Sequence, residues 1–315
     1  MDGRGGAAVN GWLLAAAAAT AAAAAVMPAP AWLYPNGSGP PPVPQAEEAP
    51  VRLAGSAVTM TRRDTHNRAA ALDWFPDPAD PSPAIVLKAS QPGGYACGFC
   101  HLPRGQGRPE NAALAGLSVD YIIDQTEAFR TGARRAASPG WVPTDAMRNA
   151  IAHASAAEIA EAARWFSRQP FVSRVKVVER AMVPPTAPLG FIQAPRPGPD
   201  EPIAGRIIEV PDDLHSFELR DPRATFTAWV PPGSIARGRA IAAEMGCIEC
   251  HTEQMNGWGP GRSPSYILRQ LMAFKSRARN DAGAEPMQAV ADQLSMDQMV
   301  AVAAWLADGA KAEPK

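Results

Sequence analysis

All four cysteines of this 315-residue chain lie in two copies of one pentapeptide, C-x-x-C-H. The first copy, CGFCH, runs from Cys97 to His101, and the second, CIECH, runs from Cys247 to His251. Two thiols three residues apart can bond both vinyl groups of one haem, and the histidine that follows can bind its iron. Each pentapeptide therefore predicts one covalently attached haem c, bound through Cys97 and Cys100 or through Cys247 and Cys250.

The sequence after each pentapeptide is repeated. Residues 121–134, YIIDQTEAFRTGAR, align without a gap with residues 266–279, YILRQLMAFKSRAR. Farther on, residues 155–167 align with residues 295–307, and both stretches begin with a capping box and continue with an apolar helical face. Such a repeat predicts two units of the same fold, and its helical period makes both units mainly α.

The N-terminal 31 residues set the cellular compartment. Arg4 precedes an apolar run from Trp12 to Met27, and an Ala-x-Ala pattern ends at Ala31. These features are typical of a secretory signal peptide. Because Trp32 and its neighbours extend the apolar stretch, an uncleaved membrane anchor is the alternative. With either alternative, the rest of the protein is expected in the periplasm.

Composition divides the remaining chain. Residues 32–82 read as a proline-rich spacer and a loose lead-in, residues 83–170 as the first helical unit, and residues 233–310 as the second. The segment 171–232 alternates apolar and polar positions, which predicts short strands or extended stretches, and it is too long for a simple linker. A net charge of −1 gives no reason to expect a nucleic-acid partner.

Two other uses of closely paired cysteines are weaker. A structural zinc site needs four ligands, whereas each pentapeptide offers three and the repeat places each one in its own unit. A thioredoxin-like redox pair is expected in a βαβ setting, whereas the surroundings here are helical.

The second axial ligand of each iron must come from elsewhere in its unit, and methionine is the ligand typical of electron-transfer cytochromes. Met147 is the only methionine between the first pentapeptide and the terminal helix of its unit. The repeat selects Met287, which lies eight residues before Ser295 as Met147 lies eight before Ser155. The other methionines that follow the second pentapeptide are Met255, Met272, Met296 and Met299.

On these residues the chain resembles the two-domain dihaem class I cytochromes c, of the periplasmic c-four or c-553-like type. The resemblance covers roughly half of the chain. It implies a mainly α fold of two tandem class I cytochrome c domains joined by a long, partly extended interdomain segment. Each domain would hold one haem between histidine and methionine: His101 with Met147, and His251 with Met287.

In that family, a proline carbonyl in the loop after the motif accepts the Nδ1 proton of the axial histidine. Pro109 matches this proline in the first unit, and Pro260 matches it in the second, where the loop to the repeated tyrosine is five residues shorter. Arg134 and Arg279 occupy matched positions after the middle helix. They would either pair with haem propionates or cap a solvated helix end.

The resemblance implies an electron carrier rather than an enzyme, passing single electrons in a periplasmic or membrane-associated respiratory chain. Its partners would be redox proteins, a donor and an acceptor, such as a dehydrogenase, a bc1-type complex or a terminal oxidase. One alternative is a cytochrome subunit of a membrane-associated dehydrogenase or oxidase complex. Another is a dihaem peroxidase, which needs an open iron site, and the two matched methionines argue against it.

Overall fold

A computed structural model describes residues 28–37, 48–251 and 260–309. The predicted signal peptide or anchor lies almost entirely outside the described residues, and Met255 lies outside them as well. None of the helices in the described ranges combines the length and apolar character that crossing a membrane requires.

The described residues form eleven α-helices, which confirms the mainly α prediction. Two 3₁₀ helices, Ala31–Leu33 and Asp64–His66, precede them. The α-helices are α1 (Ala84–Leu87), α2 (Cys97–His101), α3 (Val119–Thr131), α4 (Val142–Ala152), α5 (Ala156–Arg168), α6 (Leu214–Glu218), α7 (Ser234–Glu244), α8 (Cys247–Cys250), α9 (Pro264–Lys275), α10 (Glu285–Gln293) and α11 (Met296–Asp308).

Matched helices in the two units begin with matched caps. The Ser155 hydroxyl accepts from the Glu158 amide while the Glu158 carboxylate accepts from the Ser155 amide, and Ser295 and Gln298 form the same box. These reciprocal bonds satisfy amide groups that the first turn of a helix leaves without a partner. The repeat in the sequence therefore reappears as α3 and α5 in the first unit and as α9 and α11 in the second.

Each unit has its own apolar core. In the first, Trp165 and Phe166 of α5 are almost completely buried, and the Trp165 indole donates to the Pro103 carbonyl at 2.7 Å. In the second, α11 is buried on most sides against α7 and α9. A helix that is apolar on most sides is stable in water only when neighbours cover those sides, as they do here.

Across the ranges that the structure describes, nine short strands lie outside the helical units. They are β1 (Pro50–Val51), β2 (Met60–Thr61), β3 (Val175–Glu179), β4 (Met182–Val183), β5 (Thr186–Leu189), β6 (Ile192–Pro195), β7 (Glu201–Pro202), β8 (Ile208–Pro211) and β9 (Phe226–Val230). In the segment 171–232, β9 is the centre of a three-stranded sheet, parallel to β3 and antiparallel to β8. This segment is thus a small folded layer between the two units.

The predicted spacer and lead-in are partly packed against the units. Leu33 and Tyr34 are buried in a core cluster built mostly from the second unit and including Trp141 of the first, whose ring meets the Tyr34 ring edge-on at 5.3 Å. Burial raises the pKa of Tyr34 to about 12. In the lead-in, Trp74 is buried and its indole donates to the Leu219 carbonyl at 2.7 Å. These aromatic anchors tie the N-terminal residues to the folded body.

Because the sheet is well covered, we expect the segment 171–232 to resist proteolysis. Ile208, Ala228 and Val230 are buried, and exposing apolar surface costs roughly 25 cal/mol per Å². Trypsin should therefore cleave after Arg174 or Arg220 at least about a hundredfold more slowly in the native protein than in the urea-unfolded chain. Prompt cleavage at both arginines, with the two helical units left intact, would contradict this expectation.

Candidate functional site

The first unit contains a large cleft, which encloses about 1250 Å³ of empty space when its open mouth is counted. Cys97, Cys100 and His101 line it from α2, and Met147 lines it from α4. The remaining wall is mostly apolar and includes Leu117, Ile122, Ile151, Ile159, Ala162 and Phe166. The fold therefore gathers the four residues predicted from the first pentapeptide around one apolar space.

Close packing of α2 against α1 positions the first pentapeptide. A side chain at Gly98 would bring its Cβ to 2.7 Å from the Val86 carbonyl oxygen, so only glycine fits there. After His101 the chain turns sharply, with Leu102 at a φ of 63°. These two features bring the buried His101 ring into the cleft.

The partner of His101 differs from the one that the resemblance implies. Its Nδ1 lies 2.8 Å from the carbonyl oxygen of Ala112, not from that of Pro109. The Pro109 carbonyl instead accepts from Arg269 of the second unit. The loop therefore presents the Ala112 carbonyl to the His101 ring, in the place where the resemblance implies the Pro109 carbonyl.

The protonation states in the first cleft suit haem attachment. Burial lowers the pKa of His101, which keeps the ring neutral. With Nδ1 donating to a carbonyl, the lone pair of Nε2 is free to bind a metal. Burial also raises the pKa of Cys97 to about 12 and raises that of Cys100, so both are neutral thiols. Within the described ranges, no group of three or more His, Cys, Asp or Glu side chains could hold a metal ion.

In the second unit, the predicted axial pair is in direct contact. His251 Nε2 lies 3.4 Å from Met287 Sδ, between the end of α8 and the first turn of α10. Burial lowers the pKa of His251, so this ring also favours its neutral form. Two soft or borderline donors therefore face each other directly beside Cys247 and Cys250. Their role as the ligands of one iron stays a prediction, as does the corresponding role of His101 and Met147.

The other methionines of the second unit differ in their surroundings. Met272 and Met299 are buried in the core, with 1% and 0% of their surface exposed. Met296 packs against the same core from its edge. Pro260 is exposed, and its predicted bond to His251 stays a prediction. Of the described methionines that follow the second pentapeptide, Met287 is the one in contact with His251.

The matched arginines meet at the boundary between the two units. Arg134 and Arg279 face each other in an antiparallel bridge, and only 6% of each is exposed. Arg134 donates to Gln125 at 2.6 Å, to Gln270 at 2.8 Å and to the Tyr266 hydroxyl at 3.0 Å. Arg134 also lines the first cleft. The solvated alternative for these arginines is therefore wrong, because burial and hydrogen bonds fix both side chains.

Sequence reasoning missed a set of arginines that hold the loop after the first pentapeptide. They reach it from the middle segment and from the second unit, and each donates to backbone carbonyls. The bonds are Arg220 to Phe99 at 2.7 Å, Arg174 to Gln106 at 2.9 Å and Gly107 at 2.6 Å, Arg262 to Ala113 at 2.6 Å and Ala115 at 3.1 Å, and Arg269 to Pro109. The sequence hinted at this role only for Arg269, a cation at the position that Asp124 occupies in the first copy of the repeat.

No family model and no curated protein matches the chain. Among solved structures, thiosulfate dehydrogenase (TsdBA) from Marichromatium purpuratum is 24% identical, with a TM-score of 0.43, over 73% of this chain and 39% of that one. Reduced recombinant cytochrome c4 from Pseudomonas stutzeri is 18% identical, with a TM-score of 0.42, over 68% of this chain and 92% of that one. Acidithiobacillus ferrooxidans cytochrome c4 is 19% identical, with a TM-score of 0.43, over 67% of this chain and 97% of that one. The resemblance to two-domain class I cytochromes c therefore rests on this chain's own two C-x-x-C-H units and their matched helices.

Proposed function

We propose that the protein is an exported dihaem c-type cytochrome that carries single electrons in a periplasmic or membrane-associated respiratory chain. The observation that supports the proposal is that each repeated unit has a methionine at the site of its C-x-x-C-H histidine. His251 and Met287 are in contact at 3.4 Å, and His101 and Met147 line one cleft.

The residues of the first cleft fit a haem. A haem combines a large apolar ring with two carboxylates, so its site needs apolar walls and a few cations. The cleft has such walls, and the guanidinium groups of Arg134 and Arg269 lie at its lining. Cys97 and Cys100 line the cleft together with His101, and their thiols would form the thioether bonds to the haem.

Each residue has a distinct task in this proposal. The cysteines would hold the group covalently, and His101 and His251 would bind its iron through Nε2. The Ala112 carbonyl keeps the Nδ1 proton of His101 in place and so fixes the tautomer. Met147 and Met287 bind as thioethers, a ligation that favours the reduced iron and raises its potential. Haem iron supplies reversible one-electron chemistry when bound.

The proposed partners are a donor and an acceptor protein of a respiratory chain, such as a dehydrogenase, a bc1-type complex or a terminal oxidase. A second candidate is a cytochrome subunit of a membrane-associated dehydrogenase or oxidase complex. The docking of Leu33 and Tyr34 in the second unit favours it, because an uncleaved anchor at residues 1–31 would hold that unit at the membrane surface. Purification from detergent-solubilised membranes together with a redox enzyme would support the second candidate, and a processed, soluble periplasmic protein would support the first.

We expect two covalent haems per chain. Haem attached through thioether bonds should remain with the protein in acidified acetone, whereas unattached haem is extracted. The pyridine haemochrome absorbance, divided by the protein concentration from amino-acid analysis, should correspond to two haems per chain. A value of one or none would contradict the proposed function.

A further inference from the structure

One charged side chain of the second unit lies at the haem cleft of the first. Arg269 belongs to α9, is only 4% exposed, and lines the cleft between α2 and α4. Its guanidinium lies 4.7 Å from the centre of the Trp141 ring. It donates to the Leu33 carbonyl at 3.2 Å and to the Pro109 carbonyl. A guanidinium has five N–H donors, so these two bonds leave donors to spare.

The carboxylates around the cleft have close partners other than Arg134 and Arg269. Glu110 lines the cleft but pairs with Arg108 at 2.9 Å, and Asp281 lies 3.5 Å from Arg279. Arg134 and Arg269 form no ion pair with a carboxylate in the described part of the chain. A buried charge without a counter-ion is costly. Two cations at one cleft therefore call for anionic groups inside it.

The nearby acid Glu209 does not balance Arg269. Glu209 is buried, and its carboxylate accepts from the Ser263 hydroxyl at 2.6 Å and from the Ser265 amide at 3.3 Å. Burial raises the pKa of this carboxyl group, which favours its neutral form. Burial also lowers the pKa of Arg269, and the nearby acids Glu209 and Glu110 offset this shift only in part.

We propose that Arg269 binds one propionate carboxylate of the haem in the first cleft, so that the second unit completes the haem site of the first. The inference rests on the proposed function, because the carboxylate belongs to the haem. Haem carries two propionates, and the cleft offers two cations without carboxylate partners, Arg134 from its own unit and Arg269 from the other. Arg269 is thus a positioning residue that acts across the boundary between the units.

The repeat makes this contribution one-sided. Asp124 stands in α3 where α9 has Arg269, so the first unit has no matching cation to offer to the second. A positive charge beside a haem favours the reduced iron, which has one positive charge fewer. Arg269 should therefore raise the potential of the first haem selectively and separate the two potentials of the chain.

The test is a redox titration of the full-length holoprotein carrying Arg269→Gln. The first haem's equilibrium between oxidised and reduced forms should shift at least tenfold towards the oxidised form, which is about 59 mV for one electron. The second haem should be unchanged. Arg269→Met, which keeps the packing over Trp141 but removes the charge, should act as the glutamine variant does. Arg269→Lys, which keeps the charge, should restore most of the potential.

Arg262→Gln is the matched control. Arg262 also comes from the second unit, is 8% exposed and holds the same loop through the Ala113 and Ala115 carbonyls. It does not belong to the described lining of the cleft. Its loss should lower thermal stability without a selective shift of the first potential. The midpoint of the first haem is identified by its absence from a Cys97→Ser/Cys100→Ser double variant.

Two results would overturn the inference. In one, both neutral variants at Arg269 keep the wild-type potentials. In the other, Arg262→Gln shifts the first potential as much as they do, which would leave Arg269 with a structural role only. Failure of the proposed function would look different, because the wild-type protein itself would then carry fewer than two haems.

Discussion

Replacing Cys97 and Cys100 together by serine is expected to remove the first haem and leave the second in place. Serine hydroxyls are close in size to thiols, but they form no thioether bonds to the haem. The pyridine haemochrome yield per chain should fall by about half. Single replacements such as Cys97→Ser or Cys250→Ser should weaken attachment in one unit only.

Loss of the first haem should also destabilise its unit. The cleft wall is mostly apolar, so removing the haem that fills it should cost at least the about 2–5 kcal/mol of a large-to-small core substitution. Thermal unfolding followed by circular dichroism is expected to show an early transition for the first unit alone. The matched variant, Cys247→Ser/Cys250→Ser, should lose the other haem. If either double variant retained two haems that resist acidified acetone, the assignment of that pentapeptide would be wrong.

Much of the helical architecture could be predicted because its determinants are local. The capping boxes at Ser155 and Ser295 and the apolar faces behind them lie within a few turns of one another. The gapless match between residues 121–134 and 266–279 needs no knowledge of the fold. The repeat also selected Met287 over Met272 and Met299, and both of the rejected methionines are buried in the core.

Contacts between distant parts of the chain could not be predicted. The parallel pairing of β3 with β9 joins strands about fifty residues apart, and alternation shows only that such strands exist. Leu33 and Tyr34 follow an apolar N-terminal run, so nothing local indicates that they pack into the second unit. The arginines that hold the first loop bind backbone carbonyls, which are present at every residue and leave no pattern in the sequence.

The carbonyl that accepts a hydrogen bond from His101 shows how a contact between distant residues can change an expectation drawn from the local sequence. The resemblance implied the Pro109 carbonyl, which lies at a suitable distance along the loop from His101. Arg269 binds that carbonyl from the second unit, and the loop presents the Ala112 carbonyl to His101 instead. Arg269, 160 positions along the chain from Pro109, thus binds the carbonyl that the resemblance implies as the hydrogen-bond acceptor of His101.

Replacing Met287 by alanine should open the second haem and leave the first unchanged. Alanine cannot bind iron, so the sixth position becomes available to water and to external ligands. The variant should bind one carbon monoxide per chain in its reduced form, whereas the wild type binds none. The potential of the second haem should fall, because a thioether ligand favours the reduced iron. The oxidised variant should also lose about half of the weak long-wavelength band that resemblance to His/Met cytochromes implies.

Replacing a second methionine of the same unit is a control that distinguishes loss of an iron ligand from loss of core packing. Met296, like Met287, is partly buried and packs against the core of the second unit. Met296→Ala should therefore lower stability without carbon monoxide binding or a change in the spectrum. Met147→Ala should reproduce the Met287→Ala effects at the first haem.

An unchanged spectrum in Met287→Ala would exclude this ligand and leave Met255, outside the described residues, as the next to test. Carbon monoxide binding by the wild type would show an iron that is already open, which is the property of an enzyme rather than of a carrier.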